Sequence, residues 1–289
     1  MTQVEVALDV RANLGECPRW DEQAQALYWV DINAKQLHRF DPATGLDEFL
    51  QFDQEVGCFS LRRQPGFVLG MRSGFCFLDG WNTNLRAIAD PEADLPHNRF
   101  NDGRCDVAGR FIAGTVYPPK DRDGANLYSL APDLSVTRLV EGLLTSNGAA
   151  FSPDNKTFYF SDTPKHAIYC CDYDVHTGAI SNRRVFHQFP HGHGRPDGAA
   201  VDAEGHYWTA LYEGQRVVRL NPKGEIVQEI PVPAKCPTMV ALGGQDMRTL
   251  FITSVGNRPE DELREFPHSG AIFQTRVDVP GLPEHRFGG

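Results

Sequence analysis

The stretch Ser146-Asn147-Gly148-Ala149-Ala150, then the turn Ser152-Pro153-Asp154-Asn155-Lys156 and the run Thr157-Phe158-Tyr159-Phe160-Ser161-Asp162, recurs along this chain. Pro196-Asp197-Gly198-Ala199-Ala200 leads through a polar turn into His206-Tyr207-Trp208-Thr209-Ala210. Gly15-Glu16-Cys17-Pro18-Arg19-Trp20 feeds Ala26-Leu27-Tyr28-Trp29-Val30-Asp31, and Phe100-Asn101-Asp102-Gly103 feeds Arg110-Phe111-Ile112-Ala113-Gly114-Thr115. Weaker copies begin at Val56-Gly57-Cys58-Phe59-Ser60-Leu61 and Pro237-Thr238-Met239-Val240-Ala241. The result is roughly six units at a period of about 40–50 residues, the range of four-stranded propeller blades. Short runs rich in β-branched and aromatic residues between Pro, Asp, Asn and Gly turns read as strands. No window reads as a helix. The pattern predicts an all-β fold, a six-bladed β-propeller, with residues 1–289 as one domain.

The last unit runs out after its third strand, and the first begins behind Val4-Glu5-Val6-Ala7-Leu8-Asp9-Val10. The N-terminal strand is therefore expected to complete the last blade and close the ring, which removes exposed sheet edges. Deleting the first ten residues is expected to cause aggregation or a large loss of stability.

Composition excludes several classes. A formal net charge of −10 argues against nucleic acid as a partner, because phosphate binding needs a cationic surface. No apolar run approaches the ~18 residues of a membrane span, and no basic amphipathic stretch marks a membrane surface. Met1 to Asn13 has no apolar signal-peptide core. Seven Cys without metal-finger or redox spacing read as reduced thiols, and the expected compartment is the cytoplasm. A monomer is expected. Gly-x-Ser-x-Gly, His-Glu-x-x-His, Walker and dinucleotide fingerprints are all missing from the sequence.

In a ring, matching positions of each blade meet at the central channel. Glu16, Asn147 and Asp197 thereby become a cluster of oxygen donors, the set that hard divalent cations prefer. Taken singly, Asn-Gly and Asp-Gly are ordinary turn pairs, and only the repeat joins them. Arg99 and Asn101 fall at the corresponding point of another unit. A planar donor fork beside an amide suits the hydroxyls and carbonyl of a sugar-like ligand. Arg72, Arg99 and Arg195 make an anionic substrate plausible. His191-Gly192-His193-Gly194-Arg195 reads as a flexible segment near the channel mouth, with a His pair for a metal as the weaker alternative.

These motifs, with Asn98-Arg99-Phe100-Asn101-Asp102-Gly103-Arg104 and Arg195-Pro196-Asp197-Gly198-Ala199-Ala200-Val201-Asp202, resemble the senescence marker protein/gluconolactonase/regucalcin family across nearly the whole chain. The loop from Pro118 to Gly124 departs from the family's pattern. The resemblance implies a six-bladed propeller with one divalent metal ion (Ca, Zn, Mn, Mg or Fe) in its channel. It implies hydrolysis of a small-molecule sugar-acid lactone in carbohydrate metabolism. It assigns metal ligation to Glu16, Asn147 and Asp197 and substrate contacts to Arg99 and Asn101. Asp197 is the expected catalytic base. The alternatives are a propeller esterase or phosphotriesterase-like hydrolase, and a metal- or protein-binding propeller without catalysis.

Overall fold

The computed structural model describes residues 3–289. Six four-stranded antiparallel sheets are arranged in a ring. The innermost strands are Gly15–Asp21, Val56–Leu61, Arg99–Cys105, Ser146–Phe151, Arg195–Val201 and Pro237–Gly243, which define blades one to six. Each innermost strand touches the next and the sixth touches the first, so the ring closes around a channel.

Burial runs outward along each blade. In the first, Gly15–Asp21 and Ala26–Asp31 are buried at every residue, whereas the outermost strand, Leu46–Gln51, is largely exposed. Second strands such as Ala26–Asp31, Phe111–Val116 and Thr249–Ser254 are covered on both faces by adjacent blades, so they read as nearly continuous apolar runs without the alternation of a half-exposed strand. Aromatic side chains fill the wedges between sheets. Trp20 stacks on Phe251 with ring centroids 5.6 Å apart, joining the first blade to the sixth. Phe75 lies 4.3 Å from Phe100 and joins the second to the third.

The sixth blade closes as the sequence predicts. Its outermost strand is Glu5–Leu8, paired antiparallel to Ile272–Arg276 through Glu5 with Gln274, Val6 with Phe273 and Leu8 with Ile272. A second closure was not foreseen. Residues 281–289 run beneath the ring, at the ends of the inner strands remote from Glu16. Gly281 bridges Asp202 of the fifth blade, and Phe287 bridges Arg62 of the second. The Arg286 guanidinium lies 2.6 Å from Asp21 in the first blade, and Gly288 N–H donates to Gly109 O in the third. Phe287 is fully buried and packs against Phe77.

The sequence reading gave no helix, yet a single α-helix, Glu260–Glu265, occurs among the described residues, in the connection between the second and third strands of the sixth blade. Pro259 stands at its N-cap and Glu260, Asp261 and Glu262 fill its first turn, where acidic groups oppose the helix dipole. At six residues it is too short for helical periodicity to register. No helix among the described residues is long and apolar enough to cross a membrane.

The buried strap yields a prediction. Phe287→Ala should lower unfolding free energy by about 3–5 kcal/mol, the usual cost of emptying a buried aromatic site. Urea titration followed by tryptophan fluorescence would show it, and a shift under about 1 kcal/mol would mean that the strap is not part of the stable core.

Candidate functional site at the channel end

All of the candidate residues lie within the first three positions of an innermost strand. Glu16 is second in Gly15–Asp21, Asn147 second in Ser146–Phe151 and Asp197 third in Arg195–Val201. Arg99 and Asn101 are first and third in Arg99–Cys105. They therefore share one end of the channel. Strand register slips here in all four blades, between Glu16 and Arg19, Phe100 and Asp102, Asn147 and Ala150, and Pro196 and Ala199. Such bulges bend a strand and re-aim its side chains.

A pair of aspartates that sequence reasoning passed over fixes where two of these strands begin. The Asp31 carboxylate accepts from the Asn13 and Leu14 amides at 2.6 and 3.1 Å. In the fourth blade the Asp162 carboxylate accepts from the Leu144 and Thr145 amides, the latter at 3.1 Å. The same clamp thus holds the backbone just ahead of Glu16 and just ahead of Asn147. The repeat carried its signature, an acidic residue closing each aromatic strand at Trp29-Val30-Asp31 and Phe160-Ser161-Asp162.

Hydrogen bonds then orient the amides. Asn147 Nδ2 donates to Thr163 Oγ1 at 2.8 Å, and that hydroxyl donates to Pro196 O at 2.8 Å. Because the hydroxyl proton is committed to a carbonyl, Asn147 must present its NH2 to Thr163. Its Oδ1 is left for the channel, where it accepts from Asn101 Nδ2 at 2.7 Å. Asn101 Nδ2 also reaches Ser146 O at 3.0 Å, and its Oδ1 accepts from Arg99 Nη1 at 2.9 Å. The structure therefore joins Arg99, Asn101, Asn147 and Asp197's neighbour Pro196 in one network.

The carboxylates make the opposite case: charge held in a dry place. Glu16, Asp102 and Asp197 are all buried. Burial, then the proximity of Asp197 and Asp102, pushes the Glu16 carboxyl well above the usual range. Burial and then Asp102 push Asp197 upward as well, with Arg195 and Lys120 opposing. Burial lowers Arg99 to about 10 while Glu55 and Glu16 act the other way. Asp102 is engaged by the protein itself: Gly103 N–H donates to Oδ1 at 2.7 Å, Ala149 N–H donates to Oδ2 at 3.0 Å, and Arg19 lies 3.6 Å away. Among the described residues Glu16 accepts only from the Cys17 amide, at 3.3 Å. No hydrogen bond or ion pair engages the Asp197 carboxylate among the described residues.

Among the described residues no group of three or more His, Cys, Asp or Glu side chains is arranged to hold a metal ion. The donor set here is two carboxylates and one amide oxygen, which suits a hard cation that keeps water in its remaining positions. The crowded Glu16 and Asp197 carboxyls and the inward-facing Asn147 Oδ1 fit such a cation. His191 packs on His166 with ring centroids 4.2 Å apart, and His193 is exposed. Arg72 is taken out of the site by Glu55, which it grips through two nitrogens at 2.7 Å each.

Fold and channel end together define a six-bladed propeller with buried carboxylates and amides gathered at one mouth. The sequence matches the model of the SMP-30/gluconolactonase/LRE-like region over residues 14–256, and the chain belongs to that family. It is 46% identical over 278 residues to a 6-deoxy-6-sulfogluconolactonase of Pseudomonas putida, covering 96% of this chain and 95% of that protein. Human regucalcin is 35% identical over 296 residues, with 99% of each chain covered. A solved regucalcin from Agrobacterium tumefaciens, described as a calcium-binding protein, superposes with a TM-score of 0.94 at 27% identity, covering 99% of this chain and 97% of that one.

Gly148 tests the local geometry. Its φ is +64°, and a Cβ there would stand 2.2 Å from the Tyr207 hydroxyl, which itself bonds to Gly148 O. Gly148→Ala should cost about 2–4 kcal/mol in unfolding free energy, from backbone strain plus overpacking. Denaturant titration checks this, and a neutral substitution would show that the bulge is not under this constraint.

Proposed function

We propose that the protein is a divalent-metal-dependent lactonase that hydrolyses a sugar-acid lactone to the open-chain acid in carbohydrate catabolism. One observation carries the reading: Glu16, Asn147 and Asp197 converge with Arg99 and Asn101 at a single channel end. Membership of the family and the lactonase name of the Pseudomonas relative support it. The seven free and buried cysteines support a reducing, cytoplasmic setting. Charged outermost strands such as Ile180–Gln188 support a monomer, since charge discourages edge pairing.

Glu16, Asn147 and Asp197 would hold the cation. When bound, it supplies Lewis-acid polarisation of the lactone carbonyl and offsets charge that develops on oxygen. Arg99 and Asn101 bind and orient the ring, Arg99 through guanidinium nitrogens not spent on Phe100 O and Asn101 Oδ1. Holding the carbonyl carbon beside a positioned water removes much of the entropic barrier. Water adds to that carbon and gives its proton to the Asp197 carboxylate. The acyl C–O bond of the ring then breaks, and the departing alkoxide takes the proton back from Asp197. The products are the hydroxyl and the carboxylic acid of the open chain, and the acid then ionises to the carboxylate by releasing its proton to solvent. Burial and the nearby Asp102 raise the basicity of Asp197 above that of a solvated carboxylate, the direction a general base requires.

Lactone opening by chelator-stripped protein, followed by pH-stat with each divalent cation added back and spontaneous opening subtracted, is the direct test. Cation-dependent turnover above background is expected. Cation binding without turnover on any lactone would overturn the reading in favour of a binding propeller. Asp197→Asn should retain a cation while turnover falls by about 10²–10⁴; near-normal turnover would remove Asp197 as base. Thr163→Val should weaken cation affinity by about 10-fold or more through loss of the Asn147 orientation, read by competition with a chelating dye.

A further inference from the structure

The sixth blade supplies none of the proposed cation ligands, yet it stands between the two blades whose ligands carry charge. Its innermost strand, Pro237–Gly243, touches the innermost strand of the first blade, which holds Glu16, and that of the fifth, which holds Asp197. Its register slips between Pro237 and Val240. Thr238 lies inside this bulge and is fully buried, as is Thr253 on the neighbouring strand Thr249–Ser254. Thr238 Oγ1 donates to Gly15 O at 2.5 Å and meets Thr253 Oγ1 at 2.8 Å. A hydroxyl has one proton, and a carbonyl can only accept. The Thr238 proton therefore goes to Gly15 O, and Thr253 donates to Thr238 rather than to Met239 O, which is farther away at 3.3 Å. Thr253 Oγ1 in turn accepts from Met239 N–H at 3.2 Å. On its other side the bulge is braced by the fifth blade. A Cβ on Gly198 would stand 2.2 Å from Met239 Cγ, so Met239 lies directly against the backbone that follows Asp197.

The bond to Gly15 O belongs to a pattern. The carbonyl just ahead of each proposed ligand accepts from a side chain of the preceding blade. Gly15 O, ahead of Glu16, accepts from Thr238; Ser146 O, ahead of Asn147, accepts from Asn101 Nδ2 at 3.0 Å; Pro196 O, ahead of Asp197, accepts from Thr163 Oγ1 at 2.8 Å. Because the peptide unit is planar, holding that carbonyl fixes the whole plane that enters the ligand residue, and so constrains where its side chain leaves the backbone. Glu16 depends on this most. Its carboxylate accepts, among the described residues, only from the amide of its own neighbour Cys17, whereas the Asn147 amide is oriented directly by Thr163 and Asn101.

We infer that Thr238 is the positioning residue for Glu16: its hydroxyl, backed by Thr253, holds the Gly15 peptide so that Glu16 enters the cation site in a ligating orientation. Thr238 acts through the backbone and is not itself a ligand. This inference rests on the reading of Glu16, Asn147 and Asp197 as a cation site.

The test is the dissociation constant for Ca²⁺ and for Mn²⁺ on cation-stripped protein, by competition with a chelating dye, in the native chain and in Thr238→Val, Thr238→Ala, Thr238→Ser and Glu16→Gln. Urea unfolding of each chain in chelator measures stability separately. Thr238→Val keeps the volume and loses the hydroxyl, and its affinity should fall about tenfold, as when an orienting bond behind a ligand is removed. Thr238→Ala should fall as far. Thr238→Ser loses a buried methyl but keeps the hydroxyl, so it should be less stable than the native chain and still bind within about twofold of it. A purely structural role would make affinity follow stability, with Thr238→Ser weakened like Thr238→Ala. If Thr238→Val does not fold, the comparison of Thr238→Ser with Thr238→Ala decides. Native affinity in Thr238→Val and Thr238→Ala, or no recovery in Thr238→Ser, overturns the positioning role. The cation-site reading survives that result if Glu16→Gln, which removes a ligand charge, binds at least about tenfold more weakly. Native affinity in Glu16→Gln, or no cation bound by the native protein, overturns both.

Discussion

Closing six sheets into a ring gives their innermost strands a common axis, and every polar group those strands direct inward must be satisfied there. Most of the molecule can be understood from this constraint. The blades are stacked wedges whose inner strands are buried on both faces, so the channel is lined by backbone that has no other way to meet water. Three carboxylates, Glu16, Asp102 and Asp197, are buried in that space. Desolvation disfavours the charged forms of Glu16 and Asp197, and the nearby Asp102 raises the proton affinity of both. A fold that keeps them must supply positive charge or a ligand that does.

The lower half of the channel is settled from within. Arg19, fully buried, donates to Gly103 O at 2.6 Å and lies 3.6 Å from Asp102. Arg104 donates to Ala199 O and to Glu284, each at 2.9 Å. Charges therefore alternate down the axis: acidic at Asp102, basic at Arg19 and Arg104, acidic at Glu284. Buried pairs of this kind are weak contributors to stability, but removing one partner leaves an uncompensated charge. At the upper end the alternation stops. Glu16 and Asp197 have no basic partner within ion-pair distance among the described residues.

The repeat made the blades, the closing N-terminal strand and the shared channel position of Glu16, Asn147 and Asp197 legible in the sequence, because each depends on matching positions in successive units. Features that depend on contacts between unlike segments were not legible. Arg72 reads as a free cation until Glu55, seventeen residues earlier, is seen to grip it. The strap at 281–289 has no strand periodicity and falls outside the repeat, and only the structure shows Phe287 entering the core beside Phe77. Asp31 and Asp162 stood in plain view at the ends of aromatic strands, but their role as clamps on the amides ahead of Glu16 and Asn147 requires the turn to be folded.

The strap also bears on how the chain can be made. Glu5–Leu8 waits for Ile272–Arg276 as its pairing partner, and Arg104, deep in the channel, waits for Glu284. Synthesis proceeds from the N-terminus, and domains ordinarily fold in that order. Here the first strand has no sheet to join, and the buried arginines have no full set of counter-charges, until residues 272–287 have emerged from the ribosome. Individual blades can form while translation continues, but the ring is completed only once Ile272–Arg276 is available to pair with Glu5–Leu8.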